Sequence, residues 1–464
     1  MEQVDLVIDG GLVITMDPER RMLRDGAVAV RGARIVTVGK ARDIANAFRA
    51  DRTIDARGKL VLPGLIDGHN HPVHYLSRGI SDDQPTHQRW ATRVYPFELA
   101  ASEEDTYVGA LGNFAAMLKT GTTCFNDPGG YHVDAVARAC LDSGIRGIIT
   151  RSSQDLSSDI LPLSREAQEA TAKTLAEAVE LFDRWHGAAD GRLRVWFALR
   201  SVYNTSDQLC REVKRLADDR KVGIHCHLCV TESENVLSLK QWGARSLERF
   251  RDLGLLGPNL YLVHMGAVNE QEVSWLAAAD VKVAHCPSAS MLGGFGCIAH
   301  GKFPLMVEKG VTVSLGTDAG AVSRFLDLVR IMYLAANAHK DAEADPTVIG
   351  CYKALEMATI DGARALGWDD EIGSLEPGKR ADLIVVDADG VDWHPNPLSN
   401  PVANFVYTAS GASVRTVVVD GKILVEDRRF TAIEEADLWR RCDETATAVL
   451  GRANIDLTPG WPLQ

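Results

Sequence analysis

Eight short apolar runs, most of them separated by stretches of helical length, constrain this chain more than any other feature. They are the run opening at Val61, Thr122 to Phe125, Gly147 to Thr150, Val195 to Leu199, Val222 to His225, Leu260 to His264, Val281 to His285 and Val311 to Gly316. Helical stretches such as Glu166 to Trp185 and Val322 to Ala338 lie between them. Strand and helix patterns in alternation predict parallel β/α units. Eight units in about 300 residues predict a mixed α/β fold, a (β/α)8 TIM barrel, whose chemistry sits at the C-terminal strand ends.

The two ends of the chain read differently. Leu6 to Ile14 carries a Gly10-Gly11 break between apolar runs, a hairpin signal, and Ala27 to Gly39 repeats the design. Near the other end, Ala381 to Asp387 and a pair of runs around Asp420-Gly421 are again strand-like. Residues 1–60 and 371–464 are therefore expected to build one small β-sandwich, the latter also carrying a terminal helix, around a barrel spanning 61–370.

Polar residues fall where such a barrel would use them. His69 and His71 follow the first run, separated by one residue, so a strand would aim both imidazoles to one side. His225 and His227 close the fifth run, His264 the sixth, His285 the seventh, and Thr317-Asp318 the eighth. A lone histidine at a strand end is usually a hydrogen-bonded structural residue, and HxH alone usually marks a strand-to-loop boundary. Six histidines and an aspartate at one rim argue otherwise. Three imidazoles and a carboxylate suit a hydrolytic metal site with a position left for water.

Composition excludes other classes. The net charge of −13 argues against a nucleic-acid partner, and no apolar run approaches the ~20 residues of a membrane helix. The N-terminus, Met1 to Asp5, is acidic and does not read as a signal peptide. Nine cysteines without a secretion signal read as reduced thiols in a cytoplasmic protein, and the Cys226/Cys229 spacing as incidental. The partner expected is a small-molecule substrate. A homo-oligomer is also expected, with Trp439 and Trp461 suited to a C-terminal contact if exposed.

The order Pro63-Gly64…His69-Asn70-His71, His227, His264, His285-Cys286-Pro287-Ser288 and Leu315-Gly316-Thr317-Asp318 resembles the amidohydrolase superfamily over nearly the whole chain. Glu356 to Gly367, followed by Glu371 to Leu375, resembles its aminohydrolase and triazine-hydrolase group. The resemblance implies that His69, His71, His227 and Asp318 hold the metal, and that His264 lies beside the water or ligates the metal itself.

Two departures from the family pattern shape the expected reaction. Two-metal members use a carboxylated lysine at strand four, but Leu193 to Ser206 contains no lysine. One divalent ion per chain is therefore expected, zinc first, with cobalt, iron or manganese also suited to such ligands. Single-metal deaminases of the group place a glutamate three residues after the strand-five histidine, where this chain has Val230. Either Glu232 or Glu234 reaches in from a shifted loop, or the proton shuttle is gone. Without it, ring deamination loses its proton donor, whereas a urea, carbamate or amide carbonyl needs none on a ring nitrogen. Asp318 would accept the water's proton, and His264 or His285 would stabilise the oxyanion or protonate the leaving group.

The altered His227 to Thr231 segment and the long loop from His285 to Phe295 resemble the phenylurea hydrolase and molinate hydrolase branch. That resemblance implies hydrolysis of a urea or thiocarbamate in a small apolar molecule. The alternatives are an aminohydrolase acting on a purine, pterin or triazine ring, and a non-catalytic barrel subunit. Trp90, Phe295 and Phe303 are expected to pack against substrate, and Arg200 and Tyr203, after strand four, to contact it. Each aromatic could equally be local core.

Overall fold

The computed structural model describes residues 1–157, 170–395, 397–457 and 461. It contains an eight-stranded parallel sheet in sequential order: β1 (Leu65–Asp67), β2 (Thr122–Asn126), β3 (Arg146–Ser153), β4 (Leu193–Leu199), β5 (Ile224–Leu228), β6 (Leu260–His264), β7 (Lys282–His285) and β8 (Val313–Leu315). The Gly68 amide donates to the Leu315 carbonyl at 2.8 Å and the Asp318 amide to the His69 carbonyl at 2.8 Å, which ties the first strand to the last. This is the (β/α)8 barrel. Its strands are short and almost wholly buried because helices cover them, as near-continuous apolar runs require.

A second sheet gathers both ends of the chain. Its order runs Arg429–Phe430, Lys422–Glu426, Val414–Val419, Leu383–Asp387, Lys59–Pro63, Glu2–Ile14, Met22–Arg31 and Arg34–Lys40, with Phe48–Asp55 paired to Glu2–Ile14. Leu383–Asp387 lies antiparallel to Lys59–Pro63, so the C-terminal strands join the N-terminal ones directly. The apolar stretch from Val61 is thus two strands. Lys59–Pro63 belongs to the terminal sheet and Leu65–Asp67 to the barrel, with Gly64 at the crossing. A Cβ on Gly64 would lie 2.0 Å from the Thr123 hydroxyl, so only glycine lets the chain pass there.

The hairpin expected at Gly10-Gly11 is not formed. Glu2–Ile14 is one strand with a bulge, marked by register shifts between Asp9 and Val13 and a φ of +80° at Gly10. Before the bulge it pairs in parallel with Phe48–Asp55, and after it with Lys59–Pro63. A Cβ on Gly11 would meet the Val61 side chain at 2.8 Å, so the glycines admit a neighbouring strand rather than a turn. Asp420-Gly421 does turn, with both residues at positive φ between antiparallel strands.

The helix expected from Glu166 is observed as Thr171–Trp185, and 166–169 lie outside the described residues. The C-terminal helix Glu435–Arg452 packs on the helix Glu103–Lys119, where the Cys442 sulfur approaches Gly112. Trp439 is partly buried against Tyr75, whereas Trp461 is 86% exposed. All nine cysteines are free and buried. Among the described residues no helix is long and apolar enough to cross a membrane.

Candidate active site

The C-terminal rim of the barrel brings five donor side chains to one point. The Nε2 atoms of His69 and His71 each lie 3.5 Å from Asp318 Oδ1, and that of His264 lies 3.8 Å from Oδ2. His227 Nε2 is 3.3 Å from His71 Nε2. Donor atoms of His69, His71 and His227, and again of His69, His264 and Asp318, lie within 4.8 Å of one another. Four donors bonded at roughly 2.1 Å around a tetrahedral ion stand about 3.4 Å apart, so the spacing fits a metal.

Local chemistry fits as well. Burial pushes the His71 and His227 imidazoles far below their usual range and His264 down to about 4, so all three are neutral, as ligation requires. Burial alone would raise the Asp318 carboxyl, but His69 and His264 outweigh it and hold it near 2, ionised. His69 Nε2 is buried without a hydrogen-bond partner, because its Nδ1 is engaged by His225 Nε2 at 3.1 Å. His225 is in turn fixed by Asn126 Oδ1 at 3.3 Å. Backbone geometry is unusual at the same place, with φ of +79° at His264 and +63° at Asp318, a conformation side-chain-bearing residues adopt at a cost.

Three buried residues hold this rim together and carried no sequence expectation. Asp67, the last residue of β1, accepts the amides of His69 at 3.2 Å and Thr317 at 3.0 Å, so one carboxylate spans the first and eighth strand ends. Burial raises its carboxyl to about 7 against those hydrogen bonds. Asn70 donates to Thr317 Oγ1 and to the Asp318 carbonyl, and itself accepts from Asn113. A carboxylate inside an apolar strand, as in Ile66-Asp67-Gly68, was the available signal for the first of them.

The donor cluster opens into a cavity of about 310 Å³. Trp90, Tyr95, Phe295, Arg200, Tyr203 and Val230 line it, so the structure places four of the five expected substrate contacts there. Phe303 is not among them. It is fully buried and stacks on His285, with ring centroids 3.8 Å apart. His285 also turns away from the cluster, its Nε2 lying 3.0 Å from Nε2 of His339 on the helix Leu328–Glu343. Neither residue is among those that line the cavity, and His285 is not among the clustered donors. Its strand-end position places it at the right rim, but its ring faces the surrounding helix.

In the loop after β5 the two candidate glutamates lie in different places. Glu232 points outward, 62% exposed, and pairs with Arg245 at 2.9 Å. Glu234 is buried in the pocket wall, and its two oxygens accept the amides of Cys229 at 2.6 Å and Val230 at 3.0 Å. Burial raises this carboxyl to about 7 against those two bonds. Arg200, also in the cavity wall, donates to the Tyr95 hydroxyl at 3.2 Å and faces Glu98 at 3.6 Å.

Residues 60–424 match the amidohydrolase family. The chain belongs to the amidohydrolase family. Among curated amidohydrolases it is 36% identical over 450 residues to a 5-methylthioadenosine/S-adenosylhomocysteine deaminase of Symbiobacterium thermophilum, covering 96% of this chain and 99% of that protein. It is 32% identical over 452 residues to a 5'-deoxyadenosine deaminase of Methanosarcina mazei, covering 97% and 99%. An adenosine deaminase from Xanthomonas campestris with bound zinc superimposes with a TM-score of 0.89 at 30% identity, over 97% of this chain and 99% of that one. A zinc-bound atrazine chlorohydrolase from Arthrobacter aurescens gives 0.86 at 25%, over 95% and 100%. The chain is thus a hydrolase of the amidohydrolase family with deaminase and triazine-hydrolase neighbours. No phenylurea or molinate hydrolase is among these relatives.

Proposed function

We propose that this amidohydrolase is a single-metal aminohydrolase that releases ammonia from the ring carbon of a nitrogen heteroaromatic, with an adenine-type nucleoside as the first candidate. The observation that carries the reading is the five-donor cluster at the base of an aromatic-walled pocket. The names of the similar deaminases favour ring-amine hydrolysis over the urea or thiocarbamate reading of the sequence.

His69, His71, His227 and Asp318 would hold the ion, with His264 beside them, and the zinc in two neighbouring structures makes zinc the first ion to test. A bound divalent ion supplies a water activated at neutral pH. Asp318, held ionised, would be the carboxylate placed to take up a proton, and its contact with His264 orients it. Trp90 and Phe295 would sandwich the ring. Glu234 is the pocket carboxyl able to carry a proton near pH 7, from a position four residues beyond Val230.

Val230 supports a second reading. An apolar residue where single-metal deaminases carry their proton-shuttling glutamate favours a substrate whose carbonyl needs no ring protonation, such as a phenylurea or thiocarbamate. Product analysis on zinc-loaded protein separates the two. The panel pairs adenosine, 5'-deoxyadenosine and 5'-methylthioadenosine with an N-phenyl-N′,N′-dimethylurea and a thiocarbamate. Ammonia from a nucleoside, lost in Glu234→Gln and raised in Val230→Glu, is the expected result. Aniline or thiol release without ammonia would replace the first reading with the second.

A further inference from the structure

The opposite end of the barrel carries a second cavity, of about 410 Å³, which the reaction does not use. Arg194 on β4, Arg220 and Lys221 ahead of β5, Lys282 at the first position of β7, and Arg364 of the helix Ile360–Ala365 line it, above the ring of Trp196. These residues stand at strand starts, whereas the donor cluster stands at strand ends. Strands of four to seven residues separate the two, on the order of 15 Å.

The charges in this cavity are incompletely neutralised. Arg194 pairs with Glu371, but Glu371 also serves Arg380 at 3.1 Å. Arg364 pairs with Asp361 at 2.7 Å, and Lys353 claims the other oxygen of that carboxylate. Lys282 pairs with Asp280 two residues before it. Arg220 and Lys221 have no ion-pair partner among the described residues. The Arg220 guanidinium instead lies over the faces of Phe182 and Phe197, 5.3 and 5.8 Å from their centroids, which orients it without cancelling its charge.

Five cations facing one concavity are therefore met by three carboxylates, two of them shared with cations outside it. In a chain of net charge −13 such a concentration is not average composition. Guanidinium groups present paired N–H donors that match phosphate oxygens, and a lysine adds a mobile point charge.

We infer that this cavity binds a phosphate-bearing small anion, at a site separate from the catalytic pocket. Two sources share that chemistry, inorganic phosphate and a phosphorylated metabolite. The test is titration calorimetry of the metal-loaded protein with inorganic phosphate and, separately, fructose 1,6-bisphosphate at low ionic strength. One site per chain is expected, with affinity at least tenfold weaker in the Arg220→Ala/Lys221→Ala double variant and nearly retained in Arg220→Lys. Both variants should keep wild-type metal content and turnover, since neither residue touches the reaction centre. Tighter binding of the bisphosphate would assign the site to a phosphorylated metabolite, and equal binding to free phosphate. Absence of binding by either anion, or equal binding in wild type and the double variant, would overturn the inference.

Discussion

At the scale of single residues, the site depends on groups that never meet the ion. His225 fixes His69 through Nδ1 and so commits His69 Nε2 to ligation. His225→Ala should leave the barrel folded and weaken metal binding about 10–100-fold, the usual effect of removing such a partner. Competition with a chromogenic chelator measures it, and unchanged affinity would show that His69 needs no orienting partner. Glu234 gives a pH signature. Its carboxyl holds a proton up to about pH 7 in the folded chain, against an ordinary value of 4.5. Between those values the folded state binds more protons than the unfolded one, so this group's contribution to stability falls as pH rises. Glu234→Gln removes the titration. Urea unfolding of both proteins from pH 4.5 to 7.5 should therefore show wild type losing stability relative to the variant, and a pH-independent difference would refute the buried-acid assignment.

At the scale of elements, the sequence was most readable where period and polarity agree. Eight apolar runs marked the barrel strands, and the His or Asp that closes five of them marked the rim. Glycine was harder, because its two uses look alike in one dimension. Gly10-Gly11 reads as a turn but makes a bulge, since what it accommodates, Val61, is distant in sequence. Gly64 reads as part of one strand but marks the passage from one sheet to the other. His285 shows the same limit for side chains, because its strand-end position does not disclose the His339 and Phe303 rings that draw it outward. Gly64→Ala tests the crossing. The added carbon would meet three atoms of Thr123 at 2.0 to 2.7 Å, all on a strand that cannot yield freely. Overpacking of this kind costs about 1–3 kcal/mol. Denaturant unfolding should show a loss in that range with an unchanged m-value, and a loss below about 0.5 kcal/mol would mean the strands slide apart easily.

At the scale of the whole molecule, the barrel and the terminal sheet are locked by one buried cation. Arg146, on β3, donates through Nε and Nη2 to both oxygens of Asp382, and through Nη2 to Asp420. All three side chains are buried, and the two aspartates flank strands of the terminal sheet. Asp382 also accepts the Asp420 amide at 2.8 Å, so the lock closes on itself. Replacing a fully buried triad with apolar groups of similar volume is often nearly neutral, whereas removing one partner leaves charge stranded and costs about 3–5 kcal/mol. Arg146→Met strands Asp382 at the junction of the two sheets and leaves Asp420 to Arg380, at 3.3 Å. It should lower stability by about that amount and separate the unfolding of the terminal sheet from that of the barrel, seen as two steps in far-UV circular dichroism. Adding Asp382→Asn and Asp420→Asn to the same variant should restore much of the loss, because neutral amides carry no stranded charge. If the triple variant is no more stable than Arg146→Met alone, the lock acts through the shape of the guanidinium rather than its charge, and the two sheets are joined mainly by the apolar core that Leu60, Leu62, Ile384 and Val386 of the terminal sheet share with the barrel.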